Sequence, residues 1–90
     1  MAHIKFTPNL KRFFPDLEQT EIEADTVAEV IAAVDARWKG LADYIVDEKG
    51  QLRKHVNIFI GDELIVDKQH LSDAVNSDTK IYIMQALSGG

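Results

Sequence analysis

Ninety residues make one domain with one core, because a chain of this size buries only about 60 to 65% of the surface its unfolded form exposes. Hydrophobic residues are 46% and charged ones 28% of the chain, which excludes a disordered adaptor, and the lack of cysteine removes disulfides, thiolate metal sites and a cysteine nucleophile together. A net charge of -5 makes nucleic acid and anionic membranes poor partners, since both need a basic surface, and a basic protein surface is the better electrostatic match.

Residues His3-Ile4-Lys5-Phe6-Thr7 alternate with period two, which predicts a strand with Ile4 and Phe6 on one face, ended by Pro8. After a long connection, Thr20-Glu21-Ile22-Glu23-Ala24 alternates again, its glutamates on the open face as suits a sheet edge. The two strands are expected to pair as a hairpin. Thr26-Val27-Ala28-Glu29 fits a capping box. Val27, Val30, Ile31, Val34 and Trp38 then form one apolar stripe, with Gly40 placed to end the helix in a left-handed cap.

Residues 41–46 are too few for a second full helix and are expected to make one packed turn before the polar Asp47-Glu48-Lys49-Gly50 loop. A third strand over 55–60 places Val56, Ile58 and Ile60 on one face, and Gly61-Asp62 is a two-residue hairpin signal into a fourth strand at Leu64-Ile65-Val66. The last strand, 80–86, is apolar on both faces for most of its length, which suits a central position. The order ββαβββ, with one main helix over a mixed sheet of about five strands, is an α+β, two-layer solution.

The chemistry-bearing side chains are sparse. His3, His55 and His70 lack zinc-site spacing, so no metal is expected. The clusters Glu21/Glu23/Asp25, Asp47/Glu48 and Asp62/Glu63 read as solvated charge, and no phosphate-cradling or nucleophile-elbow motif occurs. No catalytic residue is assigned, and the chain is not expected to be an enzyme. Lys11-Arg12-Phe13-Phe14 mixes bases with aromatics, but phenylalanines folding back to close the long connection account for it better than an anion contact.

The remaining reactive group is the terminal carboxylate of Ser88-Gly89-Gly90. A main-chain carboxylate is ionised at neutral pH and can attack the α-phosphate of ATP, and glycine without Cβ threads a narrow channel. No apolar run approaches the length of a membrane span and the first residues lack a signal-peptide layout, so the cytoplasm is the expected compartment.

The segment Gln51-Leu52-Arg53-Lys54-His55-Val56-Asn57-Ile58-Phe59-Ile60-Gly61-Asp62-Glu63, with Ala86-Leu87-Ser88-Gly89-Gly90, resembles the longer members of the MoaD/ThiS family of ubiquitin-like sulfur carriers. The resemblance implies a β-grasp domain over 1–86 and a flexible Gly-Gly tail over 87–90. It also implies that an E1-like enzyme of the ThiF/MoeB type, using ATP and magnesium, adenylates Gly90, with Gly89 as the slim approach to it. A sulfur donor then makes a thiocarboxylate, and a synthase accepts the sulfur; the carrier itself binds no cofactor. Many members carry a proline near the position of Gln85 or Ala86, and its absence here weighs against the molybdopterin-synthase small subunit. That subunit and a ubiquitin-like modifier or interaction module are the alternatives, while the length and the 51–60 segment look more like carriers serving cysteine or related sulfur metabolites.

Strand alternation points Phe59, Tyr82 and Met84 away from the helix. With Leu87 and Ser88 they form the expected partner-binding surface. The competing expectation is a second small core, with the long first connection folded over those side chains.

Overall fold

The computed structural model describes residues 1–85, and the statements below concern these. Five strands form one sheet in the order β2-β1-β5-β3-β4, where β1 is Ala2–Phe6, β2 Thr20–Ile22, β3 Val56–Ile60, β4 Glu63–Leu64 and β5 Lys80–Gln85. β5 runs parallel to β1 and antiparallel to β3, so the last strand is the middle of the sheet, as its two-sided apolar pattern predicts. Three helices intervene: α1 (Pro8–Lys11), α2 (Val27–Arg37) and α3 (Ala42–Ile45).

The core lies between α2 and one sheet face. Val27, Val30 and Val34 of α2 are fully buried against a sheet side that includes Ile4, Ile58, Ile81 and Ile83. Each strand contributes alternate residues, so β1 and β5 leave His3, Lys5, Lys80, Tyr82 and Met84 on the opposite, open face.

Every N–H in the first turn of α2 has a partner, which is how its start is fixed. Thr26 is extended (φ -137°) and its Oγ1 accepts from Glu29 N at 3.3 Å. Val27 N donates to Asp73 O at 3.0 Å and Ala28 N to Leu71 O at 2.8 Å. Two of the donors a helix start leaves open are therefore satisfied by a loop more than forty residues away. Glu29 Oε1 accepts from Asp25 N at 3.0 Å, one residue before the partner a capping box would use.

That loop owes its shape to two aspartates. Asp67 Oδ1 accepts from Gln69 N and His70 N, while its Oδ2 takes the Ser72 hydroxyl at 2.5 Å. Asp73 accepts from Val66 N and Asp67 N at 2.9 and 2.8 Å. Between them Leu71, buried to 3% exposure, holds a left-handed φ of 55°, a conformation a leucine adopts only when its surroundings over-determine it.

Besides α1, which the sequence pattern does not predict, the elements differ from expectation at three places, each with an identifiable cause. β2 stops at Ile22 because Ile22 already pairs with Ala2, which leaves Ala24 no partner on β1. β4 ends early because Val66 gives its N–H to Asp73 rather than to β3. Gly40 has φ +95° but sits beyond the cap, which is Trp38; Asp35 Oδ1 accepts from Gly40 N and Ala42 N and turns the chain into α3. Gly61 does take the left-handed position in the two-residue β3–β4 hairpin, with φ +63°.

The long first connection opens with α1 and buries Leu10 and Leu17. Phe13 stacks on Tyr44 with centroids 4.8 Å apart, and Phe14 meets the same ring edge-on at 5.4 Å. The two phenylalanines thus close the connection against α3, which leaves the Tyr82 and Met84 face uncovered.

Two outcomes follow from this packing. Ile83→Ala, at a fully buried position of the central strand, should lose about 2–5 kcal/mol in urea denaturation, whereas Val66→Ala, at an 88% exposed one, should stay within about 0.5 kcal/mol of wild type. Hydrogen bonds from Ser72, His70 and Gln69 hold the Asp67 carboxyl at about 2, below its usual 3.8. A depressed carboxylate stabilises the fold above its unfolded value and loses that contribution as pH falls through the folded one. The urea-midpoint difference between wild type and Asp67→Asn should therefore be constant near neutrality and shrink between about pH 4 and 2.

Candidate functional site

β5 is held on both sides up to its last described residue. β1 pairs with it only as far as Phe6 and Ile83, because Pro8 then turns the chain into α1. On that side the next N–H of β5 would lose its acceptor. Thr7 supplies one: its N–H donates to Ile83 O at 3.1 Å and its Oγ1 accepts from Gln85 N at 3.2 Å. On the other side Gln85 pairs with Val56. Gln85, the residue before Ala86, is therefore fixed from both neighbours, and the Thr7 contact is one that alternation in the sequence does not disclose.

The open sheet face can be read row by row from the register. Lys5, Tyr82, Phe59 and Leu64 stand side by side on β1, β5, β3 and β4, and Met84 faces Asn57 in the next row. Tyr82 is 37%, Met84 36% and Leu64 45% exposed, and Phe59 is half-buried. The structure thus brings Phe59, Tyr82 and Met84 onto one face. Leu87, Ser88, Gly89 and Gly90, the other residues singled out in the sequence, lie outside the described residues.

Toward the β2 edge the same face changes character. His3 stands between Glu21 and Lys80, and its Nδ1 lies 3.3 Å from Glu21 Oε1. A groove of about 690 Å³ opens there, lined by His3, Lys5, Lys11, Glu18, Lys80 and Tyr82 among others. The Lys5–Tyr82 neighbourhood depends on the parallel β1–β5 pairing, a long-range fact that neither strand's own pattern contains.

Among the described residues the titratable groups do not assemble a reaction centre. Among the described residues no three His, Asp or Glu side chains come together as a metal site. The carboxylates with displaced pKa values are pushed down: Asp47 first by the backbone N–H of Gln51, and Asp67 first by the Ser72 hydroxyl. A general acid needs the opposite displacement. Both aspartates shape turns.

A helix laid across a mixed five-stranded sheet, with the first and last strands parallel at its centre, defines a ubiquitin-like β-grasp protein. The chain belongs to the ThiS family, whose sequence pattern matches residues 4–90, and is thereby placed among the ubiquitin-like sulfur carriers. It is 29% identical over 68 residues to the sulfur carrier protein CysO of Mycobacterium tuberculosis, a match covering 73% of each chain. The fold superposes on a chain of the Amycolatopsis orientalis BexX/CysO complex with a TM-score of 0.84 at 22% identity, covering all of this chain and all of that one. SAMP1 from Haloferax volcanii gives 0.76 at 19% identity, over 99% of this chain and 98% of that one.

The Thr7 anchor is testable without any partner. Thr7→Val removes the acceptor from Gln85 N and should cost about 1 kcal/mol by urea denaturation, with faster amide exchange at Gln85. Thr7→Ser, which retains the oxygen, should restore slow exchange.

Proposed function

We propose that the chain is a protein substrate whose Gly90 carboxylate is loaded with sulfur and unloaded by partner enzymes. The observation that carries this reading is the family match running through residue 90, so that it includes Gly89 and Gly90. The anchored position of Gln85 supports it, because the last described residue is held on the middle strand of the sheet.

In this reading an E1-like enzyme of the ThiF/MoeB type joins the Gly90 carboxylate to AMP, releasing pyrophosphate from magnesium-bound ATP. A sulfur donor then displaces AMP to leave a thiocarboxylate, which a synthase consumes. ATP and magnesium belong to the partner's active site. Gly89 and Gly90 enter that site, residues 87–90 act as the tail of a domain spanning 1–86, and the chemistry takes place in the cytoplasm. Phe59, Tyr82 and Met84, with Leu87 and Ser88, face the partner. Exposed aromatic and thioether side chains on one sheet face are the kind of surface proteins dock on, and the CysO of Amycolatopsis orientalis was solved in complex with BexX.

The test is intact mass. The chain is incubated with ATP, magnesium, an E1-like enzyme from the same organism and a sulfide source. One oxygen should be replaced by sulfur at Gly90, and deletion of Gly89 and Gly90 should abolish the change. An unaltered wild-type mass sinks the carrier reading. Isopeptide-linked adducts on lysines of other proteins would move the assignment to a modifier.

A further inference from the structure

The groove on the open face has a charge opposite to that of the chain. Three ammonium groups, Lys5, Lys11 and Lys80, line it against one carboxylate, Glu18, in a protein of net charge -5. Of the fifteen acidic residues, none but Glu18 lines the groove. The three lysines are exposed, and none is ion-paired with a described residue, where His3–Glu21 is the ion pair present. Parallel register sets Lys80 beside His3 and Lys5 beside Tyr82, so Lys5 and Lys80 are diagonal neighbours on adjacent strands. Like charges so placed repel each other and are relieved by a counter-charge arriving from outside.

We propose that this groove is a docking site for an acidic segment of a partner protein, with Asp or Glu side chains over Lys5, Lys11 and Lys80 and an apolar or aromatic residue against Tyr82. The proposal rests on the carrier reading and adds the charge of the partner to it. The net charge of the whole chain favours a basic partner surface, and at this face the local field reverses that expectation.

The geometry favours a protein segment over the other occupants. The volume, about 690 Å³, is far larger than a phosphate ion, and the lysines are exposed, so no desolvated donor grips a bare anion. The groove also continues into the row Tyr82, Phe59 and Leu64, which gives a partner's apolar side chain a place beside its carboxylates. A second copy meeting the same face would set lysine against lysine. Outside the groove fourteen acidic residues stand against seven lysines and arginines, so the field favours this orientation for an acidic partner as well as adding to affinity.

The experiment uses the full isotope-labelled chain. The probe is a synthetic peptide carrying glutamates and aspartates around one leucine and one phenylalanine; beside it stand the same peptide with lysine at every acidic position, sodium phosphate, and ATP. The acidic peptide should shift the amides of Lys5, Lys80 and Tyr82 saturably and more weakly as salt rises. Combined Lys5→Glu, Lys11→Glu and Lys80→Glu should weaken it about tenfold, since exposed ion pairs each contribute little and act together. Lys39→Glu, Lys49→Glu and Lys68→Glu, outside the groove, make the same change in net charge and should leave binding near wild type. A neutral set, Lys5→Gln, Lys11→Gln and Lys80→Gln, gives an intermediate loss and covers the case in which charge reversal perturbs folding.

The proposal is overturned by an acidic peptide that does not saturate, by equal binding of the lysine peptide, or by an equal effect of the distant charge reversal. Phosphate or ATP binding as tightly at the same amides would make it a small-anion site, and shifts that grow with protein concentration alone would make it a self-contact. In the loading reaction the groove variant should raise KM for the carrier about tenfold with kcat kept. Equal KM overturns the docking site and leaves the carrier reading standing. Absence of loading in wild type removes the carrier reading and leaves the peptide titration to decide the groove.

Discussion

The pairing of β5 between β1 and β3 is the constraint on which the rest depends. Once the last strand is the middle of the sheet, its alternate side chains must serve two sides at once. Ile81 and Ile83 complete the core beneath α2, while Lys80, Tyr82 and Met84 become the centre of the open face. The same pairing brings Thr7 to Gln85, residues seventy-eight apart in sequence. The core, the open face and the Thr7–Gln85 contact are therefore three aspects of one strand's position.

A second dependence runs through the start of α2. Its first-turn N–H groups are taken by Thr26, Leu71 and Asp73, so the helix is seated by the 65–76 loop as much as by its own sequence. The loop in turn is shaped by the Asp67 and Asp73 carboxylates. Helix starts are common seats for phosphate groups because of those same open donors. Here those donors are spent internally, on Thr26, Leu71 and Asp73.

Periodicity was enough to read the elements whose signal is local. The α2 stripe of Val27, Val30, Ile31 and Val34, the Thr26 cap, the Gly61 hairpin and the central character of β5 all stand as their residues predict. What escaped the sequence is set by hydrogen-bond partners that periodicity does not disclose. The ends of β2 and β4 are set by Ala2 and by Asp73, and helical hydrogen bonding from Pro8 to Lys11 gives no apolar stripe to betray it. For the site, alternation alone placed Phe59, Tyr82 and Met84 on one face. The lysine groove needed the parallel register of β1 and β5, and the Thr7 anchor needed the geometry of a strand end. Net charge was misleading because it averages over faces that carry opposite signs.

The position of β5 also bears on how the molecule is made. Synthesis reaches the central strand last of the strands described, so β1 and β3 have no shared neighbour until residues 80–85 emerge. Non-local pairing of this kind comes late in folding. A chain interrupted before β5 lacks at once the middle of its sheet, the Ile81 and Ile83 part of its core and the Tyr82 face. Such a molecule cannot close its core beneath α2, so the interruption removes the fold itself rather than one face of it.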